Sequence, residues 1–207
     1  SLTVQAKICR HFDERIQFHV VEDGTVLDIL GSRFTFLDIR STKAKQTGFS
    51  CVTSNGIRVA FPGDEPCPDF LFDIFRDADW MFHEAFCLYE ERSRFKPYEK
   101  HHSTVRDACE LAQSLSIKNL ILWHTEDKDI PHRKERYLAE GTPVYAGNLY
   151  VPDDGEQFSL DASAKGPGFP GPWPLNFFIL IGLPYLSNLR IQGSSIFCCI
   201  ALSDKKE

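Results

Sequence analysis

Apolar and polar positions alternate through the first third of the chain in short runs that read as strands. "IQFHVV" (16–21), "TVLDIL" (25–30), "RFTFLDI" (33–39), "GFSCVTS" (48–54) and "IRVAF" (57–61) all carry this pattern. Glu22-Asp23-Gly24 makes a turn between the first two runs, and Asn55-Gly56 joins the last two. Asn-Gly between apolar runs signals a hairpin, because both central residues of a type I′ turn need positive φ.

From about residue 70 the spacing lengthens. "DFLFDIFRDA" (69–78) has helical spacing and "DWMFHEAF" (79–86) reads as a strand. Val105, Ala108, Cys109, Ala112 and Leu115 fall on one helical stripe, with Ser103 or Thr104 placed to cap it. "NLILW" (119–123) is a compact apolar strand running straight into His124, and "PVYAGNLYV" (143–151) is a further strand leading to a turn at Asp153-Asp154-Gly155 and on to "QFSL". A strand-rich start followed by alternating helix and strand predicts an α/β layer structure, a sheet covered by helices.

The pattern breaks after about Asp161. "AKGPGFPGPWP" is a Gly/Pro-rich linker, and "LNFFILIGLPYL" and "SSIFCCIAL" beyond it are apolar but interrupted. Each run is shorter than the roughly 20 residues of a membrane span, so no stable membrane insertion is expected. The chain therefore divides into residues 1–160 and 161–207, the latter a linker and an apolar tail that reads first as an extra packed or poorly folded segment, then as an interface, a homodimer's among them, or as a non-native extension or membrane-associated piece.

Composition adds modest constraints. The 207 residues are 43% hydrophobic and 25% charged, an ordinary globular balance. A net charge of −6 argues against a protein wholly devoted to coating nucleic acid, while leaving room for a local basic patch. Seven cysteines without a CxxC pair look like reduced thiols, which points to the cytosol. The start lacks a secretion signal and an initiator Met, as expected of a fragment or a processed chain.

Four polar groups sit just beyond a strand or at a helix mouth: Asp64 in "FPGDEP", His83 and Glu84 in "FHEAF", His101 and His102 in "KHHST", and His124 in "LWHTED". In α/β folds ligands collect outside the carboxyl ends of strands, so these groups are expected to converge. A carboxylate and neutral imidazoles suit zinc or a similar divalent ion. Each residue also has a plainer reading. Asp64 after Pro62-Gly63 is ordinary turn chemistry, His102 fits a helix start, His124 fits a hydrogen-bonded structural histidine and Glu84 a paired surface carboxylate. Arg92, Arg94, Lys96 and Lys100 fit a solvated face shared with Glu90, Glu91 and Glu99.

Taken in order, "GDE", "ADWMFHEAF", "HHSTVRDACELA" and "LILWHTED" resemble the second half of a ribonuclease Z-type protein of the metallo-β-lactamase superfamily. The resemblance covers about residues 16–160. It implies an αββα sandwich lacking its N-terminal half, and a hydrolase that uses two divalent metal ions, zinc or manganese, to cut phosphodiester bonds in RNA such as tRNA 3′ ends. By the same resemblance Asp64 and His124 are metal ligands, His102 is the catalytic histidine oriented by Glu84, with His83 beside it, and Arg92, Arg94, Lys96 and Lys100 contact substrate phosphates. The chain departs from the family at Glu65, Phe86 and Thr125-Glu126. It lacks the His-x-His-x-Asp-His motif that supplies most of the metal ligands; "HFDER" at His11 is the nearest approach. Two ligands are too few for a zinc site of about four, so this chain alone is expected to be inactive. The competing reading is a non-catalytic binding or assembly domain derived from the same fold.

Overall fold

A computed structural model describes residues 19–126, 128–154, 156 and 160. Seven strands form one sheet in sequential order: β1 (Val26–Ile29), β2 (Ser32–Asp38), β3 (Thr47–Val52), β4 (Arg58–Phe61), β5 (Trp80–Glu84), β6 (Asn119–Trp123) and β7 (Asn148–Tyr150). The first four are antiparallel neighbours, and β4, β5, β6 and β7 run parallel. Parallel neighbours need crossovers, and these are supplied by a short helix α1 (Phe72–Phe75), a segment holding α2 (Arg92–Phe95) and α3 (Val105–Ser114), and α4 (Ile130–Gly141).

Side chains alternate across the pleat, and both faces are apolar. Leu37, Ala60, Met81, Leu120 and Leu122 face the helices, where Ala108, Cys109 and Ala112 of α3 and Tyr137 of α4 pack on them. Phe34, Phe36, Phe49, Val59, Trp80, Phe82 and Ile121 face the other way and form a second cluster. Among the described residues one sheet and one helical layer are present, a seven-stranded α/β arrangement.

The α3 stripe is as the spacing predicts: Val105, Ala108, Cys109, Ala112 and Leu115 are all buried. Thr104 caps the helix, its Oγ1 accepting from the Asp107 amide while Asp107 accepts from the Thr104 amide, a reciprocal capping box. The β3–β4 hairpin also forms, with Val52 opposite Arg58, but only Gly56 has positive φ (84°). The loop runs from Thr53 to Ile57, which bond to each other, and is longer than a two-residue type I′ turn.

Three elements differ from the sequence expectation. Residues 19–21 are not a strand, and 16–18 lie outside the described residues; the first strand is β1. "DFLFDIFRDA" makes only a 3-10 turn, Asp69–Leu71, and the single-turn α1, since Arg76 leaves helical geometry (φ −51°, ψ 139°). "PVYAGNLYV" contributes just Asn148–Tyr150 to the sheet, because α4 extends to Gly141 and a turn follows. Helix α4 itself has no apolar stripe to announce it: only Tyr137 and Gly141 are buried. Glu156 bonds to the Asp153 carbonyl at the expected turn; the tail at 161–207 lies outside the described residues.

The described cysteines, Cys51, Cys67, Cys87 and Cys109, are free and buried, and burial pushes their thiols up to about 12. They remain protonated and inert at neutral pH. Among the described residues no helix is long and apolar enough to cross a membrane.

Candidate metal and phosphodiester site

Parallel pairing of β4, β5 and β6 brings their carboxyl ends to one edge of the sheet. The Asp64 turn follows β4, Glu84 is the last residue of β5, and His124 follows β6, one position beyond Trp123, the register partner of Glu84. A bridge between Cys87 and Thr104 draws the start of α3 to the same edge, carrying His102 with it. Four residues separated by up to 60 positions are thus gathered by the sheet's topology.

Glu84 is fully buried. One carboxylate oxygen accepts from the Ser103 amide, and the other lies 3.4 Å from His102 Nδ1. That separation is an ion-pair distance without hydrogen-bond alignment, so these two buried atoms face each other with no better partner. The His102 ring is held between two others: Phe86 stacks on it at 5.1 Å and 18°, and His124 lies 4.8 Å away at 43°.

His124 leaves β6 with a left-handed backbone (φ 53°), a conformation that costs a non-glycine residue about 1–2 kcal/mol. Burial and the neighbouring His102 together hold its imidazole below the usual histidine range, against the opposing pull of Asp64 and Glu84. It is therefore neutral at pH 7, the form that donates a lone pair to a metal.

Asp64 sits on a turn that only glycine can open. Gly63 has φ 97°, and a side chain there would meet Ile39 at 3.2 Å. Next to it, Glu65 is buried and accepts from Ser41 (2.8 Å) and Gln46 (3.1 Å), with Lys43 at 3.5 Å. The unusual glutamate after Gly-Asp ties the 41–46 loop down against the Asp64 turn.

His83 is not brought into this group. It alternates with Glu84 and so points to the opposite face. There its Nε2 accepts from the Cys67 amide (3.3 Å), which leaves the proton on Nδ1 to bond the Glu84 carbonyl (2.7 Å). His101 is exposed and ends a 3-10 turn in left-handed geometry.

The four basic residues separate in role. Arg92 folds onto the Tyr89 ring (3.8 Å) and carbonyl (2.7 Å), and Lys96 pairs with Glu99. Lys100 reaches over Phe86 (4.8 Å), one ring from His102, and Arg94 lies over Phe95 (4.7 Å). Phe86, where the resemblance implies threonine, is thus a packing hub that residue-type reasoning missed; its position beside Glu84 was the available signal.

Asp64 and His124 offer a carboxylate oxygen and an imidazole nitrogen, donor types that zinc takes. Among the described residues, no group of three or more His, Cys, Asp or Glu side chains is gathered where an ion could be held. These two donors fit a divalent ion chemically and are too few to hold one by themselves.

No family model matches the chain. It is similar to ribonuclease Z of Pyrobaculum aerophilum, 34% identical over 99 residues covering 46% of this chain and 33% of that protein. Ribonuclease Z of Thermococcus sibiricus is 26% identical over 113 residues, 52% of this chain and 35% of that protein. The chain spans about a third of the length of these relatives. Among solved structures, the metallo-β-lactamase fold protein YhfI from Bacillus subtilis superposes with a TM-score of 0.57 at 15% identity, over 72% of this chain and 58% of that one. A diphosphatase of the PhnP family superposes with a TM-score of 0.51 at 16% identity, over 74% and 53%. In fold the chain is a metallo-β-lactamase-type α/β protein, and over about half its length its sequence is similar to ribonuclease Z.

Proposed function

We propose that this chain forms the second half of a metal-dependent hydrolase that cleaves phosphodiester bonds in RNA. The observation that carries the reading is the convergence of Glu84, His102 and His124 at one sheet edge, with Asp64 within electrostatic reach of His124. Such a set has no structural need to be assembled: Glu84 and His102 each bury a polar atom that finds no good partner, a cost that a purely structural design avoids.

Asp64 and His124 hold a divalent ion, zinc or manganese, together with ligands from outside the described residues. Bound there, the ion supplies Lewis-acid stabilisation of phosphoryl charge and a more acidic water. The chain's own residues do the rest. Glu84 faces Nδ1 of His102 and orients the ring, so that His102, carrying a proton on each ring nitrogen, gives the Nε2 proton to the departing oxygen and keeps the Nδ1 proton towards Glu84. Lys100 stands one ring away, where its charge meets a phosphate arriving at His102. Phe86 and Trp123 flank the histidines and hold their rings in place.

The test uses the full native chain containing these residues, supplied with zinc or manganese, and bis(p-nitrophenyl) phosphate and tRNA-like RNA as substrates. Metal-dependent cleavage that falls by about 10²-fold or more in His102→Ala is the expected result, the scale of a lost general acid. Metal binding without cleavage of either substrate favours the non-catalytic alternative.

A further inference from the structure

Beside the histidine cluster lies a second, separate feature, a cavity of about 240 Å³ between α2 and the start of α4. Phe95 forms part of its wall and meets Phe86 edge-on at 6.4 Å, so two rings in series, Phe95 and Phe86, separate the cavity from His102. Glu126, two residues past His124, also lines it.

Its lining carries four cations, Arg94, Lys128, Arg133 and Arg136, against three carboxylates, Glu91, Glu126 and Asp129, and two of the cations stand outside the ion pairs. Arg136 is surrounded by Glu91, Asp129 and Glu90 at 3.0, 3.1 and 3.2 Å, so these carboxylates are already engaged. Arg133 has only 11% of its side chain exposed; it donates to Thr125, the Pro152 carbonyl and Asp153, yet its Nε is buried with no acceptor. Arg94 and Lys128 are exposed on the cavity rim, and neither has a carboxylate within ion-pair distance among the described residues. Asp129, the residue preceding α4, makes no capping bond; it is turned instead to His132 and Arg136. Its carboxylate therefore stays beside the first turn of α4 without accepting from a backbone amide there.

We propose that this cavity is an anion subsite that takes a backbone phosphate of the substrate strand away from the bond being cut, with Arg94 and Lys128 as its gripping cations and Arg133 as its buried one. An oxyanion here would meet two unspent charges. The source of the phosphate, an RNA strand, rests on the function proposed above; the anion subsite does not.

The experiment titrates the full chain, with metals stripped by a chelator, with inorganic pyrophosphate and separately with a short oligoribonucleotide. Binding to the wild type is compared with Arg94→Gln/Lys128→Gln and with Arg33→Gln/Arg76→Gln, a distant pair of exposed cations that removes the same charge. The expected result is binding of both probes weakened by about tenfold or more in the cavity pair alone, the scale of a lost charge-assisted hydrogen bond. Equal weakening in both pairs, or in neither, overturns the subsite. If the cavity pair loses pyrophosphate but keeps its affinity for the oligoribonucleotide, the cavity takes a small anion and the strand assignment is overturned. Circular dichroism of both variants confirms that they are folded.

Discussion

His102 and His124 face each other with ring centroids 4.8 Å apart, one entering from the start of α3 and the other from the end of β6. Neither residue's neighbourhood in sequence contains the other. The parallel pairing of β5 and β6 and the Cys87–Thr104 bridge bring them together.

Glu84 acts through His102, so the two behave as a unit. Glu84→Gln keeps an acceptor for the Ser103 amide but removes the charge facing Nδ1. Phosphodiester cleavage is expected to fall by about 10²-fold in Glu84→Gln and in His102→Ala, and the double variant to be no worse than the slower single. Steady-state kinetics of the three variants decide this; additive losses would mean that Glu84 serves another step.

Phe86 supports both histidines with its ring and joins three elements with its backbone, donating to Ser103 and accepting from Tyr137 and Glu126. Phe86→Thr keeps the backbone bonds and removes the ring. Because the side chain is only half-buried, a loss of about 2 kcal/mol is expected, below the range for a fully enclosed Phe. Urea unfolding measures it, and Phe86→Tyr is expected to recover most of the difference.

The capping box at α3 fixes the helix start just after His102. Thr104→Ala removes the acceptor for the Asp107 amide and is expected to cost about 1 kcal/mol. Thr104→Ser, which keeps the oxygen, should lose much less. Chemical denaturation of the pair separates the cap from the packing of the methyl group.

Folding stability should also respond to acid through His124. Its folded-state pKa lies below the ordinary 6.5, so the unfolded chain binds the proton more readily. The stabilising contribution is fully present above about pH 6.5 and is lost as pH falls through the lower, folded-state value. In the metal-free protein, His124→Gln is expected to flatten this part of the stability profile. A wild-type profile as flat as the variant's would refute the assignment.

Much of this arrangement is legible from residue patterns where one physical signal dominates. The α3 stripe, its Thr104 cap and the "NLILW" strand all stand out, because burial on one side imposes a period and burial on both sides an unbroken apolar run. Helix α4 does not, since it lies on the surface with little apolar area and its ion pairs connect residues far apart in sequence. The site shows the same division. Glu84, His102 and His124 were identifiable from their positions at element ends, whereas His83 belongs to the other face by strand alternation. The separation of Arg92 and Lys96 from Arg94 and Lys100 depends on which rings and carboxylates fold nearby, and spacing carries no trace of that.

The central claim is that Asp64 and His124 hold a catalytic metal. The most direct measurement is metal content and affinity, by elemental analysis and calorimetry, of the full native chain beside its Asp64→Ala/His124→Ala variant. Near-stoichiometric zinc or manganese in the wild type, with most of it lost from a folded variant, is the predicted result. Metal bound equally by both proteins, or by neither, would contradict the account.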